Sequence, residues 1–258
     1  MTGDSSEPGK SSTGDRPKVS VVTAAFNALD GVRATVESVA SQGGVSVEHI
    51  VIDGGSSDGT VEYLSEPDSR VVWISEPDDG IADAMNKGVE RARGEYVIVL
   101  QAGDTFVGSD SLVRVLPYLD GRDMILADVA FGKENRLVTS PRPMRRLFFK
   151  PICHQGLLVR RDIFEKLGGF DGSYRVTMDY DFCLRARNAG FRMDHVPHLL
   201  SWMDDDGLSS QTDLPALLRR FSEERRTQLA NCPHAVARLG YALYWPAYLF
   251  YRRLRAHW

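Results

Sequence analysis

The chain has 258 residues, 43% hydrophobic and 26% charged, with a formal net charge of −4. This is an ordinary globular composition, long enough for one sizeable α/β domain with an appendage, and the mild negative balance argues against nucleic acid as a partner. The three cysteines, Cys153, Cys183 and Cys232, form no CxxC pair, which excludes a zinc-ligand pattern and fits reduced thiols in a cytoplasmic protein.

Residues 1–17 contain almost nothing apolar and read as a disordered tail. They hold no apolar leader, and no stretch approaches the ~20 apolar residues that would span a bilayer. The first strand is expected at 19–23, running into Ala24-Ala25-Phe26-Asn27. Val32, Val36 and Val39 set a helix over 31–42. A second strand at 48–53 breaks at Gly54-Gly55-Ser56-Ser57-Asp58-Gly59-Thr60, where Asp58 suits the N-cap of a short helix through Leu64. A third strand at 71–75 leads through Glu76-Pro77-Asp78-Asp79-Gly80 to a helix at 81–91, with Gly94 as its C-cap. The fourth strand, 96–100, stops abruptly at Gln101-Ala102-Gly103-Asp104. Strands alternating with helices at this spacing imply βαβ units and a mostly parallel sheet.

The second half is less regular. A helix is expected at 112–119, a strand at 124–129, a hairpin over 131–138 and a short helix at 144–149. A strand at 156–160, a helix at 162–167 and a helix at 178–188 ended by Gly190 follow. Trp202 falls in a last short strand before a loop through residues 204–209. Two helices finish the chain, 214–229 and from 235 onward. The domain division is thus a tail (1–17), an α/β body (18–211) and a basic, aromatic helical extension (212–258).

Right-handed crossovers put the first four strand ends on one edge, where open α/β sheets bind ligands. That edge carries Asn27, Asp53, Asp79 and Asp104. Gathered carboxylates repel unless something cationic or hydrogen-bonding sits between them. A nucleotide, through its base and ribose, or a divalent metal bridging phosphates would each serve.

With these motifs in place, the sequence resembles family 2 glycosyltransferases of the GT-A fold, in their bacterial cell-envelope branch. The resemblance rests on Ala24-Ala25-Phe26-Asn27, on residues 49–60, on Asp79-Gly80-Ile81-Ala82-Asp83-Ala84-Met85-Asn86-Lys87-Gly88 and on Leu100-Gln101-Ala102-Gly103-Asp104. It continues through Ile152-Cys153-His154-Gln155, Met178-Asp179-Tyr180-Asp181-Phe182-Cys183-Leu184-Arg185 and Gly207-Leu208-Ser209. It implies an inverting transfer of sugar from a nucleotide-diphosphate donor to a glycan or lipid-linked acceptor hydroxyl. Ala25, Asn27 and Asp53 would lie against the nucleotide, Asp79 would complete its pocket, and Asn86 and Lys87 would lie on the helix beneath the donor. Asp104 would ligate Mg²⁺ or Mn²⁺, and Asp179 would be the base. His154 and Asp181 would stand on the acceptor side. The family's DxD is reduced here to Gln101-Ala102-Gly103-Asp104, keeping only its last carboxylate.

Rival readings are a sugar-phosphate nucleotidyltransferase, a dinucleotide oxidoreductase and a non-catalytic sugar-nucleotide-binding subunit. The first strand is followed by no Gly-rich phosphate loop and no GxGxxG. Asp179 and Asp181, two residues apart on a helix, point about 200° from each other. Asp179 falls in the first turn, where a helix N-terminus favours negative charge. Asp181 can pair with Arg185 at i+4, and the buried stripe is expected to be Met178, Phe182 and Ala186. Asp104 is expected to face the surface. The extension from residue 214 holds eight arginines and two glutamates. It suggests peripheral contact with the inner face of the membrane, a helix packed on the body, or a homodimer seam.

Overall fold

The computed structural model describes residues 16–66, 71–132, 136–138, 152–204 and 213–255. The expected tail up to residue 15, the helix at 144–149, the tip of the hairpin at 133–135 and Gly207-Leu208-Ser209 lie outside the described residues.

Four short apolar runs form the parallel half of the sheet: β1 (Val19–Ala25), β2 (Val47–Asp53), β3 (Val72–Ser75) and β4 (Tyr96–Val99), in the order β3-β2-β1-β4. β1 and β4 are buried along their whole length, which is why they read as continuous apolar runs rather than alternating ones. The crossovers are α1 (Leu29–Ala40), α2 (Thr60–Leu64) and α3 (Ile81–Arg91). Register places Ala25 opposite Asp53, and Asp53 opposite Ser75. The loops after these strands therefore open at one edge.

Next come β5 (Thr105–Phe106), α4 (Ser111–Val115), β6 (Met124–Phe131), β7 (Arg136–Val138), β8 (Leu157–Arg160), α5 (Arg161–Leu167), α6 (Met178–Asn188) and β9 (Met193–Met203). β8 joins β4 antiparallel, β6 joins β8 antiparallel, β9 runs parallel to β6, and β5 closes on β9. The sheet is thus parallel in its first half and mixed in its second. β9 is not the short strand expected around Trp202 but eleven residues long. The helix expected at 112–119 gives way after α4 to a 3-10 turn, Leu116–Tyr118, because Pro117 has no N–H to continue an α-helix.

Two helix ends differ in kind. Gly190, at φ 89°, ends α6 as expected: its N–H donates to the Arg187 carbonyl and that of Phe191 to the Ala186 carbonyl, the Schellman pattern. Gly94 is not a C-cap, since α3 ends at an extended Ala92. Gly94 instead lies against β1, where its N–H donates to Ser20 Oγ and Glu48 Oε1. A Cβ there would fall 2.6 Å from the Ser20 nitrogen.

α7 (Leu214–Asn231) is capped by Asp213, which accepts from the Ala216 N–H, and α8 (Ala235–Arg255) folds back on it. Phe221, Tyr241 and Trp245 fill the seam, and Trp245 Nε1 donates to Gln228 Oε1 at 2.7 Å. α7 also packs on α6: Gln228 donates to the Tyr180 hydroxyl and Asn231 to Asp181 Oδ1. α6 is therefore covered on two sides, by the sheet core and by α7. It buries Met178 through Leu184 and Ala186, not the single stripe the spacing suggested.

Candidate active site

Three loops form a shelf at the open edge. The Asn27 N–H donates to Ser56 Oγ at 2.7 Å, and Asn27 Oδ1 accepts from the Ser57 N–H at 2.9 Å. Asn27 sits at φ 47°, a left-handed conformation that asparagine tolerates better than most residues. Asp58 ties the same loops, accepting from the Leu29 and Thr60 N–H groups. Asp53 is fully enclosed and accepts from the N–H groups of Gly55 and Ser56, from Ser56 Oγ, and from Ser75 Oγ at 2.7 Å. Its carboxylate shapes the loop, which leaves backbone and neighbouring side chains to face a ligand.

Those neighbours include Phe26 and Asp78, neither of which is among the residues the motifs single out. Phe26 is 63% exposed. A Cβ on Gly54 would lie 2.7 Å from Asp78 Oδ2 and 3.3 Å from the Phe26 ring, so the glycine lets ring and carboxylate flank one notch. Ala25 is buried beside it. An aromatic residue exposed directly after a buried strand was the available signal.

Asp79 is exposed, and its N–H donates to Asp83 Oδ2. Lys87 bridges Glu76 at 2.9 Å and Asp83 at 3.0 Å, bracing the turn that carries Asp78 and Asp79. Asn86 faces elsewhere: its amide donates to the Phe170 carbonyl and accepts from the Phe170 N–H, both at 2.8 Å. It pins α3 to the turn after α5.

The sequence places Asp104 at the surface, but it is buried, 4% exposed. β4 ends inside the sheet's edge and the chain folds over it. Oδ2 accepts from the Gln101 N–H at 3.0 Å and from Gln155 Nε2 at 2.9 Å, and Oδ1 accepts from the Asp204 N–H at 3.3 Å. Burial pushes this carboxyl up from its ordinary value, against the opposing charge of His154 and the Gln155 hydrogen bond.

Gln155 and His154 arrive on a 3-10 turn, His154–Gly156, just before β8. Gly156 passes so close to β6 that a Cβ would meet the Ala127 carbonyl oxygen at 2.4 Å. Ser201 on β9 donates to the Gln155 carbonyl at 2.6 Å. On this fixed turn, His154 Nδ1 lies 3.0 Å from Asp179 Oδ2. Burial pulls His154 down, but the hydrogen bond and charge of Asp179, with the charge of Asp104, outweigh it and hold the imidazole above its ordinary value. Asp179, Asp104 and His154 thus form one cluster, reaching from the end of β4 to the first turn of α6.

Asp181 faces the other way. It pairs with Arg185 Nε at 2.7 Å and accepts from Asn231, while Arg185 also donates to the Leu167 and Gly169 carbonyls. This is the i, i+4 pair expected from the spacing.

Among the described residues no group of three or more His, Cys, Asp or Glu side chains could hold a metal ion. The donor set beside Asp104 is of another kind. Gln101 Oε1, Gln155 Oε1 and His154 Nε2 are buried and have no partner among the described residues. One carboxylate with neutral oxygens fits a hard cation that keeps part of its shell on substrate phosphates and water. It does not fit a metal enclosed by protein alone.

A model of the family described as Glycosyl transferase family 2 matches residues 20–183. An uncharacterized glycosyltransferase of Mycobacterium tuberculosis H37Rv is 38% identical over 181 residues, which span 66% of this chain and 69% of that protein. A PGL/p-HBAD biosynthesis glycosyltransferase of Mycobacterium bovis BCG is 29% identical over 220 residues, spanning 81% of this chain and 86% of its own. Among solved structures, S. aureus TarS 1–349 in complex with UDP-GlcNAc superposes with a TM-score of 0.66 at 14% identity, covering 86% of this chain and 69% of that one. Mannosyltransferase PcManGT from Pyrobaculum calidifontis, in complex with GDP-Man and Mn²⁺, gives 0.64 at 20% identity, over 84% of this chain and 64% of that one. At these identities the structural likeness establishes the fold, which is GT-A.

Proposed function

The chain belongs to glycosyl transferase family 2, and from that premise we propose that it moves a sugar from a nucleotide-diphosphate donor to an acceptor hydroxyl with inversion. We place the reaction on the cytoplasmic side, in the synthesis of a cell-envelope glycolipid or polysaccharide. The observation that carries this reading is the cluster Asp104–His154–Asp179 after β4, at the same sheet edge as the shelf of Phe26, Gly54 and Asp78 that follows β1, β2 and β3. Relatives named for PGL/p-HBAD biosynthesis support a glycolipid acceptor. Neighbours solved with UDP-GlcNAc and with GDP-Man support a sugar-nucleotide donor.

The donor base lies on the shelf, against Ala25 and the Phe26 ring, with Asn27 and Asp53 holding the loops in shape. Asp78 and Asp79 close its other side, on a turn braced by Lys87, and Asn86 fixes the helix beneath. A divalent cation, Mg²⁺ or Mn²⁺, held by Asp104 with Gln101 Oε1 and Gln155 Oε1, would supply Lewis-acid stabilisation of the leaving diphosphate. Asp179 accepts the acceptor's hydroxyl proton as that oxygen bonds to the anomeric carbon. The bond from that carbon to the diphosphate oxygen breaks on the opposite face, so the centre inverts. His154 holds the Asp179 carboxylate in place. The catalytic body is residues 18–211, with 212–258 as its extension.

The test is incorporation of labelled sugar into a bacterial lipid extract, across a panel of UDP- and GDP-sugars with Mg²⁺ or Mn²⁺. Transfer from at least one donor by the wild type, absent with Asp179→Asn, is expected. A folded protein that binds none of these donors in calorimetry would overturn the reading.

A further inference from the structure

A helix with apolar residues on two opposite faces normally buries both. α8 breaks that rule. One face, Tyr241 and Trp245, is buried against α7. The opposite face carries Val236, Leu239, Leu243 and Phe250, each between 62% and 84% exposed. With the exposed Pro246 the spacing along this second stripe is three, four, three, four, so the residues stay on one line over the helix. Patches of this kind mark interaction surfaces.

Charge decides what covers it. From Ala235 to the C-terminus the sequence holds four arginines and neither aspartate nor glutamate. A second copy of α8 laid on this face, parallel or antiparallel, would set arginines near arginines with no acidic side chain on either helix to pair them. An anionic lipid surface supplies both missing partners, hydrocarbon for the stripe and phosphate for the arginines. Exposed Tyr244 and Tyr251 flank the stripe, as amphipathic rings do at headgroup depth. Among the described residues no helix is long and apolar enough to cross a membrane, so α8 would lie in the interface rather than span it.

We propose, independently of the transfer chemistry, that the outer face of α8 is an interfacial anchor for an anionic bilayer. The full-length protein is floated on sucrose with vesicles of phosphatidylcholine, with and without phosphatidylglycerol. At least tenfold greater recovery with phosphatidylglycerol is expected, falling when salt is raised to about 0.5 M. The double variant Leu239→Glu, Leu243→Glu changes only exposed side chains. It should keep the wild-type circular dichroism spectrum and lose flotation at least tenfold. Equal recovery of wild type and variant would overturn the proposal, as would no flotation of the wild type. Sedimentation as a dimer that the double variant dissolves would also overturn it, assigning the face to a second copy.

Discussion

Asp179 and Asp181 stand two residues apart on one buried helix and serve different ends. Asp179 reaches His154 at the open edge, while Asp181 is closed in by Arg185 and Asn231. Asp179→Asn keeps the shape and removes the base, so single-turnover transfer should fall by about 10²–10⁴-fold, with donor affinity in calorimetry nearly unchanged. Asp181→Asn should leave turnover per folded molecule near normal. It breaks a pair whose carboxylate is enclosed but whose arginine is 26% exposed, so a cost of roughly 2–3 kcal/mol is expected, somewhat below that of a fully buried pair. A melting point lower by roughly 5–10 °C would report it. An active Asp179→Asn beside a folded but inactive Asp181→Asn would reverse the roles.

Asp104 calls for a gentler substitution than a surface residue would. Asp104→Ala strips an acceptor from the Gln101 N–H, Gln155 Nε2 and the Asp204 N–H. Each unpaired buried donor costs about 1–3 kcal/mol, so loss of transfer in that variant is mixed with loss of fold. Asp104→Asn retains an acceptor oxygen and removes the charge. It should melt between Asp104→Ala and the wild type, because its one oxygen can serve Gln101 and Gln155 while its NH2 meets the Asp204 N–H, and lose any Mn²⁺-dependent gain in nucleotide affinity. If it turns over at the wild-type rate with Mg²⁺ or Mn²⁺, Asp104 is not a metal ligand.

At the scale of elements, α6 is held by a residue outside the sequence motifs. Glu223 on α7 accepts from the N–H groups of Arg175, Val176 and Thr177 at 3.0, 2.8 and 3.1 Å. Three successive donors converge on one carboxylate just before α6, two residues short of Asp179. Glu223→Ala should free this segment and lower kcat about tenfold or more while the donor KM stays put, because small misplacements of a catalytic group are costly. Glu223→Gln, which keeps an acceptor, should recover part of the loss. A parallel rise in KM, or no difference between the two variants, would mean that α7 does no more than stabilise the fold.

The same helix marks the limit of what the sequence made legible. The βαβ spacing, the loop motifs and the Asp181–Arg185 pair can be read from short-range pattern, since neighbours in sequence create them. The closure of Asp53 comes largely from Gly55 and Ser56 beside it, but the burial of Asp104 under Gln155 and Asp204 and the meeting of His154 with Asp179 depend on segments far apart in sequence. Helix period could not anticipate that α7 would cover the second side of α6. Asn86 illustrates the gap: a motif placed it near a ligand, while its partner Phe170 lies 84 residues away.

For the molecule as a whole, the C-terminal hairpin has a built-in pH dependence. Glu224 lines the groove between α7 and α8 with Phe221, Tyr244, Trp245 and Tyr248. Burial lifts its carboxyl from 4.5 to about 7, against the opposing charge of Arg220, whose Nε is 3.7 Å away. The folded state thus holds a proton that the unfolded chain releases at lower pH. The stabilisation is fully present below pH 4.5 and is lost as pH rises through 7. A shift of this size corresponds to about 3 kcal/mol between the two limits. Urea unfolding between pH 5 and 8 should show the wild type losing on the order of 2–3 kcal/mol more than Glu224→Gln, whose amide cannot titrate. The loss should appear first in α7 and α8 by hydrogen exchange, because the groove belongs to them and the parallel sheet does not share it. Identical pH profiles for the two proteins would mean that Glu224 reaches water in the folded state and that the groove is open rather than closed around it.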